Sequence, residues 1–230
     1  MEIMSLELQN ITKTYGNRKV LDQFSLIFSA NSITCLFGPS GCGKTTMLNL
    51  IGGLDKDYSG TINGFPDETI SFIFQETRLL PWKTVLENVR FPLLDKIPDK
   101  QSVEIASDFI QMVGLEKEKY HYPSQLSGGM RQRVSIARAF AYPGSLILMD
   151  EAFQNLDNAL KYNILDSFLA IWEKDKRTVI FVTHDIDEAI KMGDDIILLD
   201  HSPLQIIQSM SLSHEAPQAV KAAVKEIYRQ

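Results

Sequence analysis

Eight residues carry the clearest chemistry in the chain: Gly38-Pro39-Ser40-Gly41-Cys42-Gly43-Lys44-Thr45, followed by Thr46. Glycines at this spacing admit backbone conformations that turn successive N–H groups toward one anion. An apolar run, Ile33 to Phe37, precedes the loop, and a helix-forming segment follows it. The N-terminal end of that helix faces the same anion with its positive dipole end. In such a loop Lys44 reaches the β- and γ-phosphates of a nucleotide, and the Thr45 hydroxyl ligates Mg²⁺. Cys42 admits two readings, a redox thiol or a small residue filling a loop position.

A second apolar run, Leu146 to Met149, ends in Asp150-Glu151. A carboxylate at the end of a buried strand beside a phosphate loop is where a Mg²⁺-bound acid belongs, and Asp150 suits it. Glu151 is then placed to polarise a water. A solvated strand end without chemistry fits the same two residues. Upstream, Leu126-Ser127-Gly128-Gly129-Met130-Arg131-Gln132-Arg133 sets a hydroxyl and bare backbone at a helix start, a second anion cradle.

With this segment on the page, the sequence resembles the ATP-binding cassette ATPases, whose signature reads Leu-Ser-Gly-Gly before a basic helix start. The resemblance runs from Leu6 to about Leu199. It implies that two subunits pair head to tail, so that Ser127, Gly128, Gly129 and Asp157 act on ATP held by the other subunit's phosphate loop. It further implies that Tyr15 stacks on adenine and that Gln75, after the run ending at Phe74, senses Mg²⁺ and the attacking water. His184, after Val179 to Val182, would contact the γ-phosphate. Read alone, each is ordinary: a half-buried tyrosine, a surface glutamine, a structural histidine.

Carried over residue by residue, the family's pattern assigns catalysis to Glu151, His184, Gln75 and Lys44. It assigns nucleotide binding to Tyr15, Gly38 through Thr46, Gln75 and His184, and metal binding to Thr45, Gln75 and Asp150. The cofactors implied are ATP and Mg²⁺, and the reaction is ATP hydrolysis coupled to transmembrane transport. The chain departs from the pattern at Ala152, where the family usually has Pro, and at Asn155, where it usually has a small residue.

These residues need a scaffold. Short Ile-, Val- and Phe-rich runs alternate with longer mixed segments, the pattern of an α/β protein with a buried sheet. Strands are expected at Ser5–Gln9, Ser32–Phe37, Thr69–Phe74, Ser145–Met149, Thr178–Thr183 and Asp195–Leu199. Ser25–Phe28 reads as an edge strand, and Gly60–Gly64 as a hairpin arm. Helices are expected at Thr45–Ile51, Gln101–Val113, Arg131–Ala141, Asn158–Glu173 and Ile186–Met192. The expected architecture is a P-loop NTPase core with a mostly parallel central sheet, an antiparallel β edge subdomain and a helical insert carrying the signature. One nucleotide-binding domain spans 1–230, with a catalytic core at about 1–75 and 143–230 and a helical subdomain at about 76–142. The tail after Asp200 reads as too short for a further domain.

Composition narrows the function. Lys plus Arg number 23 against 29 Asp plus Glu, a net charge of −6, with a pI near 5.3. That balance counts against nucleic acid as a partner. The two cysteines, Cys35 and Cys42, form no disulfide framework and fit a reducing compartment. No run approaches the ~20 apolar residues of a membrane span, and Met1 to Asn10 shows no secretory signal. The expected location is cytoplasmic, peripheral on the inner face of the membrane through a partner.

Gln75 through Val89, with Leu79-Leu80-Pro81-Trp82 at its centre, resembles the segment of importer ATPases that receives a helix of the membrane permease. The Leu-Leu-Pro-Trp run is similar to the nitrate, sulfonate and taurine branch; packing inside the insert is the plainer reading of any one of these residues. The partners implied are an integral-membrane permease, indirectly an extracytoplasmic solute-binding protein, and a second ATPase subunit, identical or a paralogue. A soluble cassette ATPase of DNA repair or translation is the alternative from another class, but no long heptad insert lies between Lys44 and Ser127, and only one cassette is present. A small-molecule kinase leaves the signature and His184 unexplained, and an exporter subunit is the nearer rival.

Overall fold

The computed structural model describes residues 5–64, 70–154 and 156–228. Along the chain the elements are β1 (Leu6–Tyr15), β2 (Arg18–Phe28), β3 (Ile33–Phe37), α1 (Lys44–Ile51), β4 (Ser59–Asn63) and β5 (Ile70–Ile73). Then come α2 (Val85–Arg90), α3 (Asp99–Met112), α4 (Gly128–Ala141), β6 (Leu146–Asp150) and α5 (Asn158–Trp172). The last are β7 (Thr178–Thr183), α6 (Ile186–Met192), β8 (Asp195–Asp200), β9 (Gln205–Ser211) and α7 (Pro217–Tyr228). The chain divides into two compact units.

The first unit takes the described residues up to Ile70, Ser145–Asp150 and those from Lys176 onward. Its main sheet runs in the order β6-β7-β3-β8-β9. β6, β7, β3 and β8 are parallel in register, and β9 closes the edge antiparallel to β8. Every residue of β3, β6 and β7 is buried, which is why these strands read as unbroken apolar runs instead of alternating ones. A second, antiparallel sheet has the order β2-β1-β4.

The second unit takes Ser71–Gly144 and Glu151–Asp175. It packs α2, α3 and α4 against one another, and stacks Phe140 of α4 on Phe168 of α5 at 4.6 Å between ring centroids. Here α2 begins with a reciprocal cap: the Thr84 hydroxyl accepts from the Glu87 N–H while the Glu87 carboxylate accepts from the Thr84 N–H.

The expected strands and helices are present; Thr69, the first residue of one expected strand, lies outside the described residues. Three elements escaped the sequence reading, and two strands are longer than expected. β1 and β2 form one long hairpin, with Tyr15 paired to Arg18 across Gly16-Asn17. Gly16 takes φ 57°, a value a tight hairpin turn requires and glycine supplies without strain. Among the described residues β9 is exposed along most of its length and pairs only with β8, and its Gln-Ile-Ile-Gln-Ser-Met-Ser sequence is neither an unbroken apolar run nor a strict alternation. α2 is a single capped turn and a half. α7 places Val220, Val224 and Tyr228 four residues apart, one helical stripe.

Gly60 in β4 has φ +102°, and a Cβ there would lie 2.5 Å from the Gln9 carbonyl oxygen. Gly60→Ala is therefore expected to cost about 2 kcal/mol of stability, the scale of a forced backbone conformation. Urea denaturation followed by circular dichroism measures it, and an unchanged midpoint would contradict the geometry.

Candidate active site

In the first unit the phosphate loop leaves β3 at Phe37 and delivers the chain to α1. Gly38 admits no side chain, since a Cβ would meet the Leu199 carbonyl oxygen at 2.2 Å. Gly43 caps α1 at φ +122°, with a Cβ position 2.9 Å from Val20 Cγ1. Lys44 is only 5% exposed. Its ammonium donates to the carbonyls of Gly38 (2.8 Å) and Pro39 (2.7 Å) and lies 3.8 Å from Cys42 Sγ. A buried charge must be paired or hydrogen-bonded, and here the loop's own carbonyls serve. Cys42 and Cys35 are both buried free thiols. Burial pushes the Cys35 thiol well up, so it stays protonated.

Asp150 ends β6 and is 5% exposed. The Thr45 hydroxyl donates to its Oδ1 at 3.2 Å. A hydroxyl and a carboxylate are hard oxygen donors, the set from which Mg²⁺ takes one or two protein ligands and completes its shell with phosphate oxygens and water. The residues therefore fit Mg²⁺. On β7, the Thr183 hydroxyl donates to Glu188 (2.7 Å) and accepts from the Asp185 N–H (3.0 Å). This locks the turn that presents His184. With Gly38, Pro39 and Ser40, His184 lines a cavity of about 330 Å³.

Tyr15 sits at the hairpin tip, 49% exposed, and its hydroxyl donates to Asp55 Oδ2 at 2.9 Å. Asp55 in turn accepts from Lys13, which also reaches the Asp57 carboxylate at 3.3 Å. The Lys13 ammonium lies 4.7 Å from the Tyr15 ring centroid. Burial lowers the Lys13 pKa, but bonds to Asp55 and Asp57 outweigh it and leave the ammonium above its ordinary value. The Lys13 hydrogen bond holds Asp55 below the usual carboxylate range, and burial followed by Asp55 raises Tyr15. The sequence reading missed this support, although Lys13 and Tyr15, two apart on a strand, share a face.

In the second unit Gln75 follows β5. Its side-chain amide donates to Glu151 Oε2 at 3.4 Å and to Gln154 Oε1 at 3.5 Å. Glu151 takes φ 47°, so the residue after Asp150 turns sharply out of strand conformation. Gln132 of α4 donates to the Ala152 carbonyl at 2.7 Å and holds the backbone just beyond Glu151. Ser127 is the N-cap of α4, its hydroxyl accepting from Met130 N–H at 3.2 Å, with Ser127 and Gly128 exposed and Gly129 half-buried. Asp157 caps α5 and accepts from the Leu160 N–H at 3.0 Å. The signature and Asp157 thus stand at the starts of two different helices. Asn155 lies outside the described residues.

Asp55, with a lowered pKa in the fold, stabilises above its unfolded pKa near 4 and loses that contribution as acid protonates it. Asp55→Asn is expected to destabilise the protein at pH 7, where Lys13 keeps Asp57 but loses the nearer of its two carboxylate partners. The gap between the two proteins should close as pH falls below the usual carboxylate range. Urea midpoints at several pH values measure this, and a gap that persisted at low pH would refute it.

Comparison with known proteins fits this geometry. The ABC transporter family model matches residues 21–154. The uncharacterized ABC transporter ATP-binding protein MJ0412 of Methanocaldococcus jannaschii is 42% identical over 226 residues, spanning 93% of this chain and 84% of that protein. The aliphatic sulfonates import ATP-binding protein SsuB of Bacillus subtilis is 42% identical over 200 residues, 84% of this chain and 77% of the relative. The taurine import ATP-binding protein TauB of Escherichia coli O157:H7 is 37% identical over 215 residues, 90% and 84% of the two chains. Among solved structures, the ATP-binding cassette MJ0796 in a dimeric post-hydrolysis state bound to ADP and Pi superposes with a TM-score of 0.81. It is 35% identical and covers 90% of this chain and 98% of that one. The chain belongs to the ABC transporter family and is one of its ATP-binding cassette ATPases.

Proposed function

We propose that this ATPase is the energising subunit of an importer for a small sulfonate-like solute, working through a separate membrane permease. The importer reading rests on the similarity to SsuB and TauB. The observation that carries the hydrolytic reading is the Thr45–Asp150 pair at the end of a glycine-bound phosphate loop.

The loop N–H groups and the start of α1 bind the β- and γ-phosphates of ATP. Lys44 exchanges its carbonyl partners for phosphate oxygens, a stronger charge-assisted bond. Thr45, Asp150 and Gln75 would hold Mg²⁺, which would supply neutralisation of the phosphate charge. Glu151 orients water and accepts its proton as the water oxygen bonds to the γ-phosphorus and the bond to the β-phosphate oxygen breaks, releasing ADP and phosphate. Gln75, hydrogen-bonded to Glu151, fixes the carboxylate's direction, and His184 donates to the γ-phosphate. Tyr15 stacks on the adenine. Ser127, Gly128, Gly129 and Asp157 act on nucleotide held by a second copy or a paralogue, so ATP favours the closed pair and hydrolysis releases it.

Trp82 is 69% exposed, between the capped start of α2 and the half-buried Leu79 and Leu80. An exposed tryptophan beside apolar neighbours is the composition of a protein-binding hot spot, and it is our docking point for the permease. No helix among the described residues is long and apolar enough to cross a membrane, so membrane attachment on the inner face runs through that contact. An extracytoplasmic solute-binding protein would select the solute.

Glu151→Gln is expected to cut kcat by about 10²–10⁴, the range of a lost general base, and to double the solution mass in Mg-ATP. Ser127→Arg added to it should return the mass to that of one chain. A Glu151→Gln protein that hydrolyses at the wild-type rate would refute the role of Glu151. Trp82→Ala should leave the isolated chain's ATPase within about twofold while weakening permease binding at least about tenfold, the scale of a hot-spot residue. Undiminished co-purification with the permease would move the docking point elsewhere.

A further inference from the structure

Helix α7 lies outside the residues 21–154 matched by the family model, and the mechanism above makes no use of it. It is anchored through Val220, which is fully buried, and through an ion pair from Lys221 to Asp187 of α6, the helix that follows His184. At its end the Tyr228 ring packs on Phe37 with 5.6 Å between centroids, tilted at 54°. The Tyr228 hydroxyl lies 2.8 Å from the Leu199 carbonyl oxygen and 3.2 Å from that of Phe37. One phenolic proton serves both acceptors, with the shorter bond to Leu199.

Both carbonyls touch the phosphate loop. The Phe37 oxygen belongs to the peptide that opens the loop at Gly38. The Leu199 oxygen is the atom that forbids a Cβ on Gly38, at 2.2 Å from its position. Phe37 ends β3, and Leu199, the last residue but one of the neighbouring β8, stands one position past the final β3–β8 pair, Phe37–Leu198, and pairs on its other side with Ile206 of β9. A single hydroxyl therefore joins the two backbone groups between which Gly38 is seated. Burial, then the charge of Asp200, pushes the phenol pKa well up, so the group remains a donor throughout the physiological range.

We propose that Tyr228 is a positioning residue for ATP: its hydroxyl fixes the Phe37–Gly38 peptide against Leu199 and thereby aims the N–H groups of the phosphate loop. This rests on the phosphate-loop reading given above. Without the hydroxyl, the first peptide of the loop loses one of its restraints, leaving the Lys44 bond to the Gly38 carbonyl and the β3 pairing to hold it, and part of the cost of ordering the loop falls on the nucleotide. The loss then appears in binding and is shared by ATP and ADP, because both present the β-phosphate that the loop holds.

The test is Tyr228→Phe, which keeps the ring on Phe37 and deletes one oxygen. ATP and ADP are titrated calorimetrically with magnesium chelated, so that nothing is hydrolysed, and kcat is measured separately at saturating Mg-ATP. Both dissociation constants are expected to rise about fivefold, the equivalent of one ordinary hydrogen bond, with kcat within about twofold of wild type. Val220→Ala loosens the same helix without touching the hydroxyl and should lower the thermal midpoint while leaving both constants near wild type. Unchanged constants in Tyr228→Phe overturn the proposal, as does an equal rise in Val220→Ala, which would make helix docking the cause. Lys44→Ala runs in parallel. If it binds ATP normally, the phosphate-loop reading itself has failed; if it does not bind while Tyr228→Phe matches wild type, only the inference about Tyr228 has.

Discussion

A buried ammonium held by main-chain carbonyls sets the terms for everything around it. Here the Gly38 and Pro39 carbonyls compensate the buried Lys44 charge, since an uncompensated buried cation is far too costly to persist. The carbonyls of Gly38 and Pro39 are thereby committed to the lysine, and the loop's N–H groups are the donors on which the proposed anion site draws. The glycines follow from it. Gly43 takes a φ that side chains rarely adopt, and Gly38 lies against Leu199 too closely for any Cβ. The all-buried strands β3, β6 and β7 then fix where the loop starts and where Asp150 and His184 arrive. Their parallel register brings Phe37 level with Thr183.

What was readable in the sequence follows from what is local. The phosphate loop, the Asp150-Glu151 pair and the Ser127 signature each encode their geometry within a few residues, so composition and spacing carried them. The apolar runs of β3, β6 and β7 were equally plain, because strands covered on both faces cannot alternate. Support from a distance was invisible. Asp55 reaches Tyr15 across 40 positions, and Tyr228 reaches Phe37 across 191. No local pattern announces a hydrogen bond between such partners. β9 was lost for another reason: an edge strand with one neighbour buries little, and Ile206 and Ile207 stand side by side at exposed positions instead of alternating with polar residues. α7 did carry a stripe of residues four apart, a signal present in the sequence and not used.

The two units hold their chemical groups by different means. In the first, buried strands end at the functional residues, and rigidity comes from the sheet. In the second, single side chains grip backbone. Gln132 holds Ala152 beside Glu151, Asn88 binds the carbonyls of Leu80, Lys83 and Thr84, and Ser127 and Asp157 cap their helices. Ala152 stands where the family usually has a proline, and the Gln132 bond restrains that backbone from outside.

Arg138 gives this second arrangement a mechanical meaning. From the last turn of α4 its guanidinium donates to the carbonyls of Thr77 (3.1 Å) and Arg78 (2.9 Å), while Arg78 itself lies 3.8 Å over the Phe74 ring. Helix α4 has 14 residues, a stiff rod of about 21 Å at 1.5 Å per residue. One end of the rod is bolted to the segment that leads to Trp82, and the other end carries Ser127. Within the second unit, the carbonyls of Thr77 and Arg78 and the signature at Ser127 are therefore tied to opposite ends of one stiff helix.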